Sequence, residues 1–103
     1  MIQNSGRIIS KQFTRSEIYE LVLELPELAR VAQPGHFLHL LIGETPGVML
    51  RRPLSLAGVE GHQVRLLVRR VGAGTQALAQ VSADTRMDAL GPLEPDEMAP
   101  IFI

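Results

Sequence analysis

The fold is decided in one stretch: Leu54-Ser55-Leu56-Ala57-Gly58-Val59, the turn Glu60-Gly61-His62, an apolar run over 64–71, then Gly72-Ala73-Gly74-Thr75-Gln76-Ala77-Leu78-Ala79-Gln80-Val81. Two short runs meet at a glycine turn, and the second leads through two more glycines into a row of helix formers. In the first run, strand alternation puts Leu54 and Leu56 on one face and Pro53 and Ser55 on the other. Ala77, Leu78 and Val81 instead fall at helical spacing, which predicts a short helix over 75–81 with Gly74 or Thr75 as its N-cap. Strand, Gly72-x-Gly74-x-x-Ala77 and helix together spell a dinucleotide fingerprint. A doubly wound nucleotide fold needs several βα units around that fingerprint, and too little chain follows Thr75 to supply them. Two readings stay open: a phosphate cradle built from approaching backbone amides, or a plain glycine turn into a helix.

The same rhythm runs outward in both directions. Short alternating runs at 7–14, 18–25, 37–42, 54–59, 64–71 and 85–90 are separated by breaks at Pro26, Pro34-Gly35, 43–47, 58–61 and Gly91-Pro92. Long helical periodicity is missing. The pattern predicts an all-β protein, a six-stranded antiparallel barrel with one short α-helix between strands five and six. A length of 103 residues, 46% of them hydrophobic, suits one domain with its own core. The last residues, 94–103, change character and leave three readings: an extra edge strand, a docked tail, or the stump of a longer protein.

Composition excludes several functions. With no cysteine, the chain offers no disulfide, thiolate zinc site or iron–sulfur cluster of its own. No apolar run approaches the ~20 residues that span a bilayer, and the start lacks a signal-peptide pattern, so the expected compartment is the cytoplasm with no membrane partner. Net charge is −1, and Phe13, Tyr19, Phe37 and Phe102 are the only aromatic residues. A chain so balanced in charge and so poor in stacking platforms is not a nucleic-acid binder.

Among polar groups, Arg51-Arg52-Pro53-Leu54-Ser55 places fixed positive charge, a rigid proline and a hydroxyl at the start of a strand, and Arg69-Arg70 repeats the charge on the next. Both pairs could converge on a diphosphate, or lie at solvated strand edges. Ser55 lacks the G-x-S-x-G elbow and a base, so no catalytic residue is assigned. His36 and His39 would point to opposite faces of a strand with no accompanying acid, and His62 sits in the turn Glu60-Gly61-His62, so the three point to no metal site. Asp84 and Asp88 read as turn and solvated strand residues.

Taken in order, Gly35-His36-Phe37-Leu38-His39-Leu40, Leu50-Arg51-Arg52-Pro53-Leu54-Ser55-Leu56, Val68-Arg69-x-x-Gly72-x-Gly74-Thr75-x-x-Leu78 and Leu90-Gly91-Pro92-Leu93 resemble the N-terminal FAD-binding domain of the dihydroorotate dehydrogenase electron-transfer subunit, within the ferredoxin reductase-like superfamily. The resemblance runs from Arg7 to Leu93 and implies a Greek-key barrel. It implies that Arg52 contacts the FAD diphosphate or ribityl chain, that Pro53 and Leu54 pack near the isoalloxazine, and that Ser55 hydrogen-bonds near its redox-active edge. Leu67, Val68 and Arg69 would line the flavin, and Gly74 and Thr75 would bind the diphosphate. Leu54 stands where many superfamily members carry an aromatic residue, and Val68 where tyrosine is frequent. The family's NAD-binding domain and cysteine-ligated iron–sulfur segment have no counterpart in these residues.

The implied function is a flavin-holding module, residues 1–93, of an electron-transfer oxidoreductase, with residues 94–103 as a tail toward a missing NAD-binding domain. Such a module would not be an active enzyme alone. Its implied partners are FAD and a dihydroorotate dehydrogenase catalytic subunit or another electron acceptor. Two alternatives remain at this stage: a non-catalytic barrel acting as an interaction or homodimerisation module, and a small-molecule barrel that shares only the architecture.

Overall fold

The computed structural model describes residues 2–41, 53–70 and 72–94. Alternation builds the strands: from Ile18 to Glu24 and from Gln63 to Arg69 every second side chain is buried. The elements are β1 (Ile2–Arg15), β2 (Ile18–Glu24), α1 (Pro26–Val31), β3 (Phe37–Leu41), β4 (Pro53–Glu60), β5 (Gln63–Arg69), α2 (Ala73–Ala79) and β6 (Arg86–Leu93). They close a barrel in the order β1-β2-β5-β4-β3-β6, with every neighbouring pair antiparallel. Strands β3, β4 and β5 follow one another, and β6 returns to lie beside β3, which is the Greek-key connection. Leu21, Leu23, Leu38, Leu40, Val64 and Leu66 fill the interior with no exposed surface. Each such burial stabilises the fold by roughly 2 kcal/mol. The predicted architecture and the helix between strands five and six are both present.

Three local differences have physical causes. β1 starts at Ile2 rather than at 7, and its early inward positions are Asn4 and Gly6 rather than apolar residues. Asn4 is buried because its Oδ1 accepts the backbone N–H groups of Glu27 and Leu28, at 3.0 and 3.1 Å. Gly6 sits so close to β2 that a Cβ there would lie 1.8 Å from the Glu24 carbonyl oxygen. Pro26, read as a break, is the first residue of the additional six-residue helix α1, a position that needs no N–H donor. β6 continues through Gly91-Pro92 to Leu93, because Gly91 lets the strand pass Leu38, whose Cδ2 a Cβ would meet at 2.6 Å.

Among the described residues no helix is long and apolar enough to cross a membrane, and no group of three His, Asp or Glu could hold a metal ion.

Candidate functional site

The nine residues chosen from sequence separate into an outer face, an inner face and a turn. On β4, Leu54 is 7% exposed and faces the core, while Ser55 is exposed on the outside. On β5, Val68 is 1% exposed and faces inward, while Leu67, at 49%, and Arg69 face out. Pro53 opens β4 opposite His39, and Arg52 lies outside the described residues. The β4–β5 pairing reaches Leu56 and Leu66, one residue short of Ser55 and Leu67. Alternation therefore splits the set: Ser55, Leu67 and Arg69 make an outer ledge, with Leu54 and Val68 behind it as its packed backing.

Phe37, which sequence reasoning passed over as a site residue, pairs across β3–β4 with Ser55 and is half-buried. Cross-strand partners hold their Cβ atoms about 5 Å apart. The exposed Ser55 thus has a half-buried aromatic residue as its cross-strand partner on the ledge. The signal was present in the alternation of Phe37 with the buried Leu38 and Leu40.

Three residues beyond Arg69 the chain reaches the glycine turn. α2 begins at Ala73, so Gly74 and Thr75 lie inside its first turn and neither is the N-cap. Thr75 reaches back to Gly72 instead: its Oγ1 accepts the Gly72 N–H at 3.1 Å and donates to the Gly72 carbonyl at 3.2 Å. That carbonyl also accepts the Gln76 N–H at 2.9 Å. Thr75 is 5% exposed, and its own carbonyl accepts the hydroxyl of Tyr19 at 2.8 Å. The turn is thus tied both to itself and to the barrel interior. Tyr19 was legible in the sequence only as an aromatic residue. Burial raises its phenol pKa well above the usual range, against a smaller opposing effect of Arg70.

Charged groups elsewhere are mostly paired at the surface. Arg70, expected beside Arg69 at a ligand, lies 5.4 Å over the Phe13 ring and donates to the Ser16 carbonyl at 3.1 Å, with Glu17 at 3.7 Å. It braces the β1–β2 turn. Arg7 bridges Glu24 and Asp84, and these partners raise its pKa further. Asp84 has φ 69° and is the turn residue expected. His36 does have an acid, since its Nε2 is 2.9 Å from Glu94 Oε1, a contact across 58 residues of chain that local spacing could not reveal. A hollow of about 210 Å³ lies at the other end of the β4–β5 hairpin, lined by Glu20, Val22, Gly58, Val59 and Arg65 among others. None of the nine residues lines it, and it is smaller than ordinary small-molecule sites.

No protein-family model matches the chain. The electron transfer subunit of dihydroorotate dehydrogenase B (NAD(+)) from Shouchella clausii is 40% identical over 97 residues, covering 90% of this chain and 38% of that protein. The chain is homologous to dihydroorotate dehydrogenase B electron transfer subunits. The subunit from Geobacillus thermodenitrificans is 35% identical over 88 residues, covering 84% of the chain and 34% of the relative. The chain thus spans 34–38% of the length of these electron transfer subunits. Solved structures agree on the fold. The NADH-dependent reduced ferredoxin-NADP oxidoreductase superposes with a TM-score of 0.76 at 23% identity, over 84% of this chain and 32% of that one. The ferredoxin reductase in carbazole 1,9a-dioxygenase gives 0.76 at 18%, over 90% and 29%. The flavohemoglobin from Malassezia yamatoensis, solved with bound FAD and heme, gives 0.75 at 13%, over 97% and 27%. The barrel shares its fold with domains of these proteins.

Proposed function

We propose that residues 1–93 form the FAD-holding barrel of a dihydroorotate dehydrogenase B-type electron transfer subunit, and that residues 94–103 lead toward its nicotinamide-binding part. The observation that carries this reading is 40% identity over 90% of the chain to one such subunit. The residues fit the group: an outer ledge with an exposed hydroxyl and an exposed leucine suits a flat, amphipathic ring, and β5 runs from that ledge straight into the glycine turn. FAD, when bound, supplies exchange between two-electron and one-electron chemistry.

The chain's own residues bind and orient. Ser55 donates its hydroxyl at the ring edge, with Phe37 and Leu67 excluding water beside it. Leu54 and Val68 support the ledge from behind. Arg52 and Arg69 supply positive charge toward the diphosphate, and Gly74 permits close approach of backbone amides. Thr75 contributes its backbone, because its hydroxyl proton is already engaged with Gly72. In the assembled system electrons pass from NADH through this site to an acceptor, and the catalytic subunit of dihydroorotate dehydrogenase is the proposed partner.

The test is to titrate the purified protein with FAD and record the visible spectrum. A bound, spectrally shifted flavin is expected; a colourless protein with no FAD affinity overturns the reading. Arg52→Ala and Gly74→Val should each weaken binding about tenfold or more, whereas Arg15→Ala at the β1–β2 turn should leave it unchanged. Equal effects from all three would contradict the site assignment.

A further inference from the structure

Tyr19 is the one tyrosine of the chain, and it sits on β2 with no exposed surface. It pairs across the sheet with Val68, the residue backing the ledge. A phenol buried this completely needs a hydrogen-bond partner. The partner it finds is not on a neighbouring strand but 56 residues away, the carbonyl of Thr75 at 2.8 Å. Thr75 in turn holds both the N–H and the carbonyl of Gly72 through its hydroxyl. Hydrogen bonds at two different atoms of Thr75, its carbonyl and its Oγ1, therefore link the barrel core to the glycine turn. On its outer side the Tyr19 ring is covered by Phe13, with centroids 5.2 Å apart, and Phe13 is covered by the Arg70 guanidinium.

We propose that Tyr19 is a positioning residue for FAD: through Thr75 it holds the 72–75 turn in the conformation that receives the diphosphate. The inference rests on the flavin-binding reading above and adds to it a residue that touches no ligand. A seven-residue helix has little stability of its own, so the placement of its first turn must come from tertiary contacts. The Tyr19 hydroxyl is a contact of this kind, and it acts on a carbonyl, so it occupies none of the turn's amide donors. Removing it should leave the turn in place on average but less ordered, so FAD would have to fix the turn itself on binding.

The experiment compares FAD affinity and backbone amide exchange in the wild-type protein, Tyr19→Phe, Thr75→Val and the double variant. Tyr19→Phe should weaken FAD about five- to tenfold and speed amide exchange at 72–76 while leaving β2 and β5 amides protected. The two single effects should be non-additive, since the two sets of bonds fix the same residue of the turn. Unchanged FAD affinity in a folded Tyr19→Phe protein overturns the positioning role while the flavin reading stands, and so does additivity of the two variants. Wild-type protein that binds no FAD overturns the flavin reading and the role with it. Should Tyr19→Phe not fold, the wild-type protein decides: saturating FAD should shift the Tyr19 ring resonances, and unshifted resonances overturn the proposal.

Discussion

The two short helices are anchored to the barrel in opposite senses. α1 is held by its donors: Asn4, reaching from β1, accepts the N–H groups of Glu27 and Leu28 and uses up the amides of its first turn. α2 is held by an acceptor: Tyr19, reaching from β2, donates to the Thr75 carbonyl. Both anchors are buried strand side chains, and both helices are too short to be stable alone. The difference lies in what is left over. An anchor that consumes amides makes a helix start inert toward anions, whereas one that consumes a carbonyl fixes the turn and takes nothing that a phosphate would use. On the proposed reading, α1 is then the structural helix start and α2 the one left open to the diphosphate, a distinction that the variants below test.

The hardest break falls on the α1 side. Gly6→Val would drive a side chain into the Glu24 carbonyl and the Leu25 side chain, 1.8 and 2.8 Å from any Cβ, at the point where the chain enters α1. The strands would have to separate, and a loss above about 3 kcal/mol is expected, read as a collapse of the thermal transition. Asn4→Ala comes next. It leaves two partly or fully buried amides without their acceptor and should cost about 2 kcal/mol in denaturant unfolding, while FAD affinity per folded molecule stays unchanged. Asn4→Asp keeps an acceptor at that position and should recover most of the loss. An Asn4→Ala protein that lost FAD affinity as strongly as Tyr19→Phe would erase the distinction between the two helices.

These same residues explain why some of the fold was hidden in the sequence. Alternation revealed β2 and β5 because their inward positions are leucine and valine. It missed the start of β1 because the inward positions there are Asn4, spent on capping a helix, and Gly6, spent on close approach. It stopped β6 at Leu90 because the next inward position is Gly91, required by Leu38. α1 was missed because six residues are too few to show a helical period. In the site, alternation put Ser55 on the face opposite Leu54 and Leu56 and Gly74 was legible as part of the glycine turn, whereas Leu67 and Arg69 came from the family resemblance alone. The role of Tyr19 was not legible, since it depends on a hydrogen bond to a residue 56 positions away, and Phe37 showed only its outward phase, its partner Ser55 lying 18 residues on.

Tyr19 also makes the comparison visible in alkali. Its folded pKa lies above the unfolded value, so its contribution to stability is intact below about pH 10 and is lost as pH rises beyond that, because the unfolded chain ionises first and binds fewer protons. Lys11, lowered by burial, acts in the other sense as pH rises toward its ordinary range. The difference between wild type and Tyr19→Phe therefore isolates the phenol. With one tyrosine and no tryptophan, the tyrosinate absorbance reports this group alone. It should appear together with unfolding rather than ahead of it, and Tyr19→Phe should lose less stability above pH 10 than wild type does. Tyrosinate forming in the folded protein near pH 10 would mean that the hydroxyl is not held as described.

The smallest effect on stability belongs to the ledge, and there the separation of binding from folding is sharpest. Leu67 is half exposed on β5, so Leu67→Ser removes little buried area and should move unfolding by no more than about 0.5 kcal/mol. Its inward neighbour Val68, 1% exposed, should cost about 2 kcal/mol on Val68→Ala. FAD titrations should rank the two the other way, with Leu67→Ser weakening affinity more than Val68→Ala per folded molecule. Adjacent residues on one strand, one read by denaturant and the other by ligand, would place the flavin on the outside of the barrel. The reverse ranking would place the ligand against Val68 and require β4 and β5 to part.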